Sequence, residues 1–129
     1  MNSPDRQVKR RILVVDDESV IQALVYRVLT AGGRELVIAG STKEGLSRIN
    51  SQVFDLLLTD LRLPDGHGEE VMRRFRVKFP HAPIIVLTGS LTPEDHFATV
   101  ADLGDFKCII KPFDLEILQK TVNQALGGG

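Results

Sequence analysis

Five short apolar runs recur along the chain, and each is continuous rather than alternating with polar residues. Continuous runs of this length are typical of strands that are buried on both faces of a parallel sheet. The pattern therefore predicts five buried strands. They cover residues 12–15, 36–39, 56–58 together with Phe54, 84–87 and 108–110.

Helical patterns follow each of these runs. Apolar residues recur there at steps of three and four, between residues that cap or stop helices. Five strand-then-helix units in order predict a doubly wound α/β domain. The predicted helices run from Val20 to Leu29 before Gly32-Gly33, from a cap at Ser41 or Thr42, through Val71 to a stop before Pro80, from Thr92 to Gly104, and from about Asp114.

Size and charge restrict the function. The chain has 129 residues, and domains usually span roughly 100 to 200, so one domain is expected. Apolar residues make up 43% and charged residues 26%, which predicts a packed core rather than disorder. A formal net charge of -1 argues against direct nucleic-acid binding. We find neither a secretory signal nor a run near the roughly 18 apolar residues of a membrane helix, so we expect a cytoplasmic protein without membrane contacts.

Polar residues follow four of the five runs. The carboxyl ends of strands in an open α/β sheet lie on one rim, where ligands bind. The pattern therefore brings together three carboxylates, a hydroxyl and an ammonium from four chain segments. These groups belong to Asp16, Asp17, Asp60, Thr88 and Lys111.

This set of groups predicts a metal-dependent reaction at phosphorus. Crowded carboxylates repel one another unless a cation neutralises them. The set offers only oxygen ligands and no Cys/His cluster, so Mg²⁺ fits better than zinc. One carboxylate can then attack phosphorus and form an aspartyl phosphate, while the metal, a lysine and a threonine hydroxyl hold the phosphoryl oxygens.

The chain resembles the receiver domain of two-component response regulators, of the chemotaxis type, over residues of about 10–126. Each motif alone is a weak match, but four in order at receiver spacing are specific. The resemblance implies a flavodoxin-like fold, with a five-stranded parallel sheet in order 2-1-3-4-5 and helices on both faces. We expect a flexible segment at 1–9 and a glycine tail at 127–129. The matching motifs are residues 12–18, residues 57–64 followed by Gly66 and Gly68, residues 84–89 and residues 111–113.

The resemblance also implies residue roles for phosphorylation and metal binding. Asp60 is the expected phospho-acceptor, and Asp17 a direct Mg²⁺ ligand. Asp16 is expected to act largely through a metal-bound water, and the backbone carbonyl of Arg62 is a further ligand. Mn²⁺ is expected to substitute for Mg²⁺. Pro64-Asp65-Gly66 is typical of a turn, in which Gly66 and Gly68 supply backbone freedom.

Further roles carried by the resemblance concern the switch. Thr88 is the expected switch hydroxyl, next to Gly89 at the phosphoryl site, and Lys111 pairs with Asp60 at rest and with the phosphoryl group after transfer. The bond before Pro112 is a candidate cis peptide.

One position departs from the family pattern. Many receivers carry a tyrosine or phenylalanine three residues before the lysine, and here that atypical switch position is Cys108. The commoner fate of a lone thiol is a small core residue. Phosphorylation is expected to survive this change.

The resulting hypothesis is a switch rather than a metabolic enzyme, with self-catalysed phosphotransfer and autodephosphorylation. A sensor histidine kinase or a histidine phosphotransfer protein would donate the phosphoryl group. The output partner, an unidentified domain or protein, would meet the face formed by the fourth helix, fifth strand and fifth helix, where a homodimer could also form. The chain is read as a stand-alone receiver or one excised from a longer regulator.

Three other functions fit the sequence less well. A phosphorylation-independent scaffold with a receiver fold is opposed by the intact acidic pocket. An aspartyl-phosphate phosphohydrolase of the haloacid-dehalogenase type has a second acid two residues after the nucleophile, where this chain has Arg62. A flavodoxin-like FMN carrier needs a phosphate loop after the first strand, and the acidic residues 16–18 would repel that phosphate.

Overall fold

The computed structural model describes residues 9–89 and 103–127. The predicted helix that opens at Thr92 lies almost wholly outside these residues, as do residues 1–8 of the predicted N-terminal segment and residues 128–129 of the glycine tail. The elements in chain order are β1 Arg11–Val15, α1 Ser19–Thr30, β2 Glu35–Ala39, α2 Thr42–Ser51, β3 Leu56–Asp60, β4 Arg62–Leu63, β5 Gly66–His67, α3 Gly68–Lys78, β6 Ile84–Thr88, β7 Lys107–Ile110 and α4 Leu115–Ala125.

The main sheet has five parallel strands in the order β2-β1-β3-β6-β7. Strands β6 and β7 are the fourth and fifth predicted strands, so the predicted order and fold class are confirmed. The register places Val15 beside Thr59, Asp60 beside Leu87, and Thr88 beside Ile110. The carboxyl ends of β1, β3, β6 and β7 therefore meet at one rim.

Two apolar clusters cover the two faces of the sheet, which explains why the strand sequences are continuously apolar. On one face Leu13 and Val15 of β1 pack with α2 and α3, including Phe75. On the other face Ile12 and Val14 of β1 pack with α1 and α4. Burying one such side chain fully contributes about 1.5–3 kcal/mol. Both faces must therefore be apolar, and polar side chains are left to the strand ends.

The structure decides which residue caps α2. Ser41 is the N-cap, and its Oγ accepts the backbone N–H of Glu44 at 3.1 Å. The carboxylate of Glu44 accepts the N–H of Gly40 at 2.6 Å. Thr42, the other residue that the sequence offered, is instead the first helical residue. At the fifth predicted helix, the Asp114 side chain accepts the N–H of Glu116 at 2.9 Å.

The predicted turn after β3 contains more structure than expected. Strands β4 and β5 form a small antiparallel hairpin, with Arg62 opposite His67 and Leu63 opposite Gly66. Pro64 and Asp65 form its tip.

None of the helices in the described part of the chain is long and apolar enough to cross a membrane.

Candidate functional site

Asp60 lies at the end of β3, the central strand of the sheet, and is only 7% exposed. Its Oδ1 accepts the backbone N–H of Arg62 at 3.1 Å, and its Oδ2 accepts a hydrogen bond from Lys111 Nζ at 2.8 Å. The Thr59 hydroxyl donates to the Asp60 carbonyl at 2.9 Å. The carboxylate is therefore held in one orientation at the rim.

Two more carboxylates come from the end of β1. Asp16 is fully buried, its Oδ1 accepts the N–H of Glu18 at 2.9 Å, and its Oδ2 lies 2.7 Å from Lys111 Nζ. Asp17 is exposed. One oxygen each from Asp16, Asp17 and Asp60 lies within 4.8 Å of the others. The three acids that the sequence singled out thus converge at one point.

Lys111 compensates this negative charge. Its ammonium lies within hydrogen-bond distance of Asp16, Asp60 and Glu18, the last at 2.6 Å. Burial by itself lowers the pKa of Lys111, but the hydrogen bonds to these three carboxylates outweigh burial and raise it above its usual value. Lys111 is therefore a permanent cation at physiological pH.

Glu18 is the pairing partner that sequence reasoning missed. Glu18 belongs to the first matching motif, residues 12–18, which assigns it no contact with Lys111, although its carboxylate lies 2.6 Å from that ammonium. The available signal was its place directly after the two aspartates, at the same strand end.

The donor set fits a hard divalent cation. Burial raises the pKa of Asp16 above its usual value, because desolvation disfavours the carboxylate, while the hydrogen bond to Lys111 opposes that rise. Clustered carboxylates with one lysine among them retain excess negative charge. Oxygen donors of this kind suit Mg²⁺.

Thr88 and Lys111 face the same opening. Thr88 is buried at the end of β6, and its carbonyl accepts the backbone N–H of Lys111 at 2.8 Å. A cavity of about 490 Å³ opens over the rim, lined by residues that include Asp60, Arg62, Thr88, Gly89 and Lys111. This volume accommodates a phosphoryl group.

The fifth strand brings one expected feature and one correction. The Lys111–Pro112 peptide bond is cis. Cys108 is exposed on β7, an edge strand, so the expectation of a small core residue is wrong. Successive side chains of a strand point to opposite faces of the sheet. Ile109 is buried in the cluster formed with α1 and α4, whereas Cys108 lies on the other face of β7 and is exposed.

Gly68 has a different role from the one the sequence suggested. Backbone freedom is not what this position uses, because Gly68 is the first residue of α3 and its φ is not positive. A Cβ built there would lie 2.0 Å from the Asp60 carbonyl oxygen and 3.0 Å from Leu61 Cα. Glycine is needed because α3 begins in direct contact with the backbone of the Asp60 loop.

Substitution Gly68→Ala is expected to lower the free energy of unfolding by about 1–3 kcal/mol, because the clash is with backbone that cannot rotate away. Urea denaturation measures this loss. Gly40→Ala is the matched control, since a Cβ there would meet its nearest atom at an ordinary 3.6 Å. Equal stability of the two variants would contradict the close-contact explanation.

Comparisons with known proteins agree with this geometry. The family model described as "Response regulator receiver domain" matches residues 12–123. The chain is similar to the transcriptional regulatory protein ZraR of Escherichia coli, at 30% identity over 89% of this chain and 26% of that protein. It is similar to the luminescence regulatory protein LuxO of Vibrio campbellii, at 33% identity over 88% of this chain and 25% of that protein. The chain thus spans about a quarter of the length of these relatives.

Solved structures give the same result. A CheY-like receiver domain protein from Methanospirillum hungatei superposes with a TM-score of 0.87 at 30% identity, covering 94% of this chain and 96% of that one. The chemotaxis protein CheY4 of Vibrio cholerae superposes with a TM-score of 0.83 at 28% identity, covering 92% of this chain and all of that one.

Proposed function

The chain belongs to the response regulator receiver domain family of two-component signalling, and from that premise we propose that Asp60 is its phospho-acceptor. The observation that carries the proposal is that the carboxylates of Asp16, Glu18 and Asp60 converge on the ammonium of Lys111. What distinguishes Asp60 within this cluster is its place at the end of the central strand, where it lines the cavity and accepts a hydrogen bond from Lys111. Asp16 is fully buried and less suited to meet a donor.

The proposed reaction moves a phosphoryl group from a phosphohistidine to Asp60. An Asp60 oxygen forms the new O–P bond, the N–P bond of the donor breaks, and the departing imidazole nitrogen takes up a proton from solvent. Lys111 moves its hydrogen bond from Asp60 to a phosphoryl oxygen, and the Thr88 hydroxyl donates to another. Hydrolysis of this acyl phosphate returns the protein to its resting state.

Asp16, Asp17, Asp60 and the backbone carbonyl of Arg62 would hold Mg²⁺, for which Mn²⁺ could substitute. The bound ion would offset the charge of the carboxylates and of the phosphoryl oxygens. The oxygen-only donor set and the excess negative charge around Lys111 support this assignment.

The partners follow from the reaction and from the relatives. We propose a sensor histidine kinase or histidine phosphotransfer protein as donor. The receiver unit is proposed to span residues 10–126 and to act as a switch rather than a metabolic enzyme. Its output would pass through the face that includes β7 and α4, where a partner or a second copy would bind.

Intact-protein mass spectrometry after incubation with acetyl phosphate tests the proposal. We expect the mass to rise by one phosphoryl group with Mg²⁺ and to stay unchanged when the metal is chelated. A purified histidine kinase serves as a second donor, because some receivers are closed to small donors. A folded protein that accepts phosphate from neither donor would favour the phosphorylation-independent scaffold instead.

A further inference from the structure

The side chain of Asp65 connects the β4–β5 hairpin to the first residues of α2. Asp65 lies at the tip of the β4–β5 hairpin, five residues after Asp60. Its Oδ1 accepts the backbone N–H of Thr42 at 2.7 Å, and its Oδ2 accepts the backbone N–H of Lys43 at 2.9 Å. Both oxygens of one carboxylate therefore bind the first two residues of α2.

These bonds complete the cap of α2. The first N–H groups of a helix have no acceptor within the helix. Ser41 accepts the N–H of Glu44, and Asp65 supplies the acceptors for Thr42 and Lys43. The hydrogen bond from the backbone of Lys43, and to a lesser extent that from Thr42, lowers the pKa of Asp65. The Asp65 carboxylate is therefore negatively charged at neutral pH and complements the partial positive charge at the N-terminus of α2.

The hairpin needs such an attachment. It has only two residues in each strand, and two-stranded hairpins are marginally stable by themselves. Its base is tied on both sides, because Gly68 N–H donates to the Leu61 carbonyl at 2.9 Å and Arg62 N–H donates to Asp60. Asp65 ties the opposite end, the tip, to a helix that packs against the sheet.

We propose that Asp65 is a positioning residue, which holds the β4–β5 hairpin against α2 and thereby fixes the backbone of Arg62 beside Asp60. This inference rests on the proposed function, in which the Arg62 carbonyl is a Mg²⁺ ligand. Asp65 lies outside the ligand set and acts through the backbone.

The test compares Mg²⁺ affinity, by titration calorimetry, in the wild type and three variants. Asp65→Ala is expected to weaken Mg²⁺ binding about tenfold, as loss of residues that orient metal ligands commonly does. Asp65→Asn keeps one acceptor and is expected to give an intermediate value. Ser41→Ala removes another cap of the same helix without touching the hairpin, and is expected to leave the affinity unchanged.

A second readout needs no metal. In ¹H–¹⁵N spectra of the metal-free protein, Asp65→Ala is expected to shift the amides of Arg62 and Leu63, and Ser41→Ala is expected not to. Equal Mg²⁺ affinity in Asp65→Ala and wild type, or equal losses in Asp65→Ala and Ser41→Ala, would overturn the inference alone. A wild type that binds no Mg²⁺ would overturn the proposed function and this inference together.

Discussion

Replacement of Asp60 by asparagine is expected to abolish the phosphoryl adduct. The amide that replaces the carboxylate is not a nucleophile toward phosphorus, but it has the same shape. Its oxygen can still accept the backbone N–H of Arg62, which Asp60 Oδ1 accepts at 3.1 Å. The variant should therefore fold and lose only the acceptor. Intact-protein mass spectrometry with acetyl phosphate and Mg²⁺ measures the effect.

Asp55→Asn is the matched control for this experiment. Asp55 precedes the same strand at its opposite end, where its carboxylate accepts the N–H of Arg11 at 2.8 Å. We expect this variant to be phosphorylated like the wild type. An adduct of wild-type yield on Asp60→Asn would show that another group is the acceptor, with Asp16, Asp17 and Thr88 the nearest candidates.

Substitution Lys111→Met is expected to slow phosphorylation by about 10²–10³-fold, the usual cost of removing one group that stabilises developing negative charge. Lys111 Nζ lies 2.8 Å from Asp60 Oδ2, so it can reach a phosphoryl group bound there. Its loss also leaves the buried Asp16 without its cation, which further favours protonation of that carboxylate. The initial rate of adduct formation at saturating Mg²⁺ measures the effect.

Lys107→Met is the control for Lys111→Met, because it removes an exposed lysine at the start of β7, the strand that Lys111 directly follows. Its phosphorylation rate should match that of the wild type. Circular dichroism and urea denaturation establish that both variants are folded. If Lys111→Met were phosphorylated within a factor of about two of the wild type, the proposed charge stabilisation by Lys111 would be wrong, since such a change is far below the usual cost.

Much of the fold could be predicted from local patterns. Continuous apolar runs indicated strands buried on both faces, and helix caps and glycines marked most helix ends. Asp16 and Asp60 were identifiable because polar residues at the carboxyl ends of buried parallel strands lie at the edge of the sheet where ligands bind. The choice between Ser41 and Thr42 as the cap of α2 was beyond the sequence, because both side chains carry the same chemistry.

Other features depend on contacts that local patterns do not encode. The sequence suggested backbone freedom for Gly68, but the contact with the Asp60 carbonyl arises from how closely α3 approaches β3. The attachment of Asp65 to α2 joins residues 22 and 23 positions apart. Cys108 lies exposed on the face of β7 opposite the buried Ile109, and the continuous apolar run at 108–110 did not indicate this difference.

The sequence by itself determined the set of buried strands and the acidic, hydroxyl and basic groups that end them, because burial on two faces demands apolar residues and leaves polar ones to the strand ends. Only the tertiary structure decided which groups touch. Lys111 reaches Asp60 across 51 residues of sequence and Glu18 across 93. Distances between such remote segments are set by strand order and by helix packing against the sheet, so they exist only once the whole domain has folded.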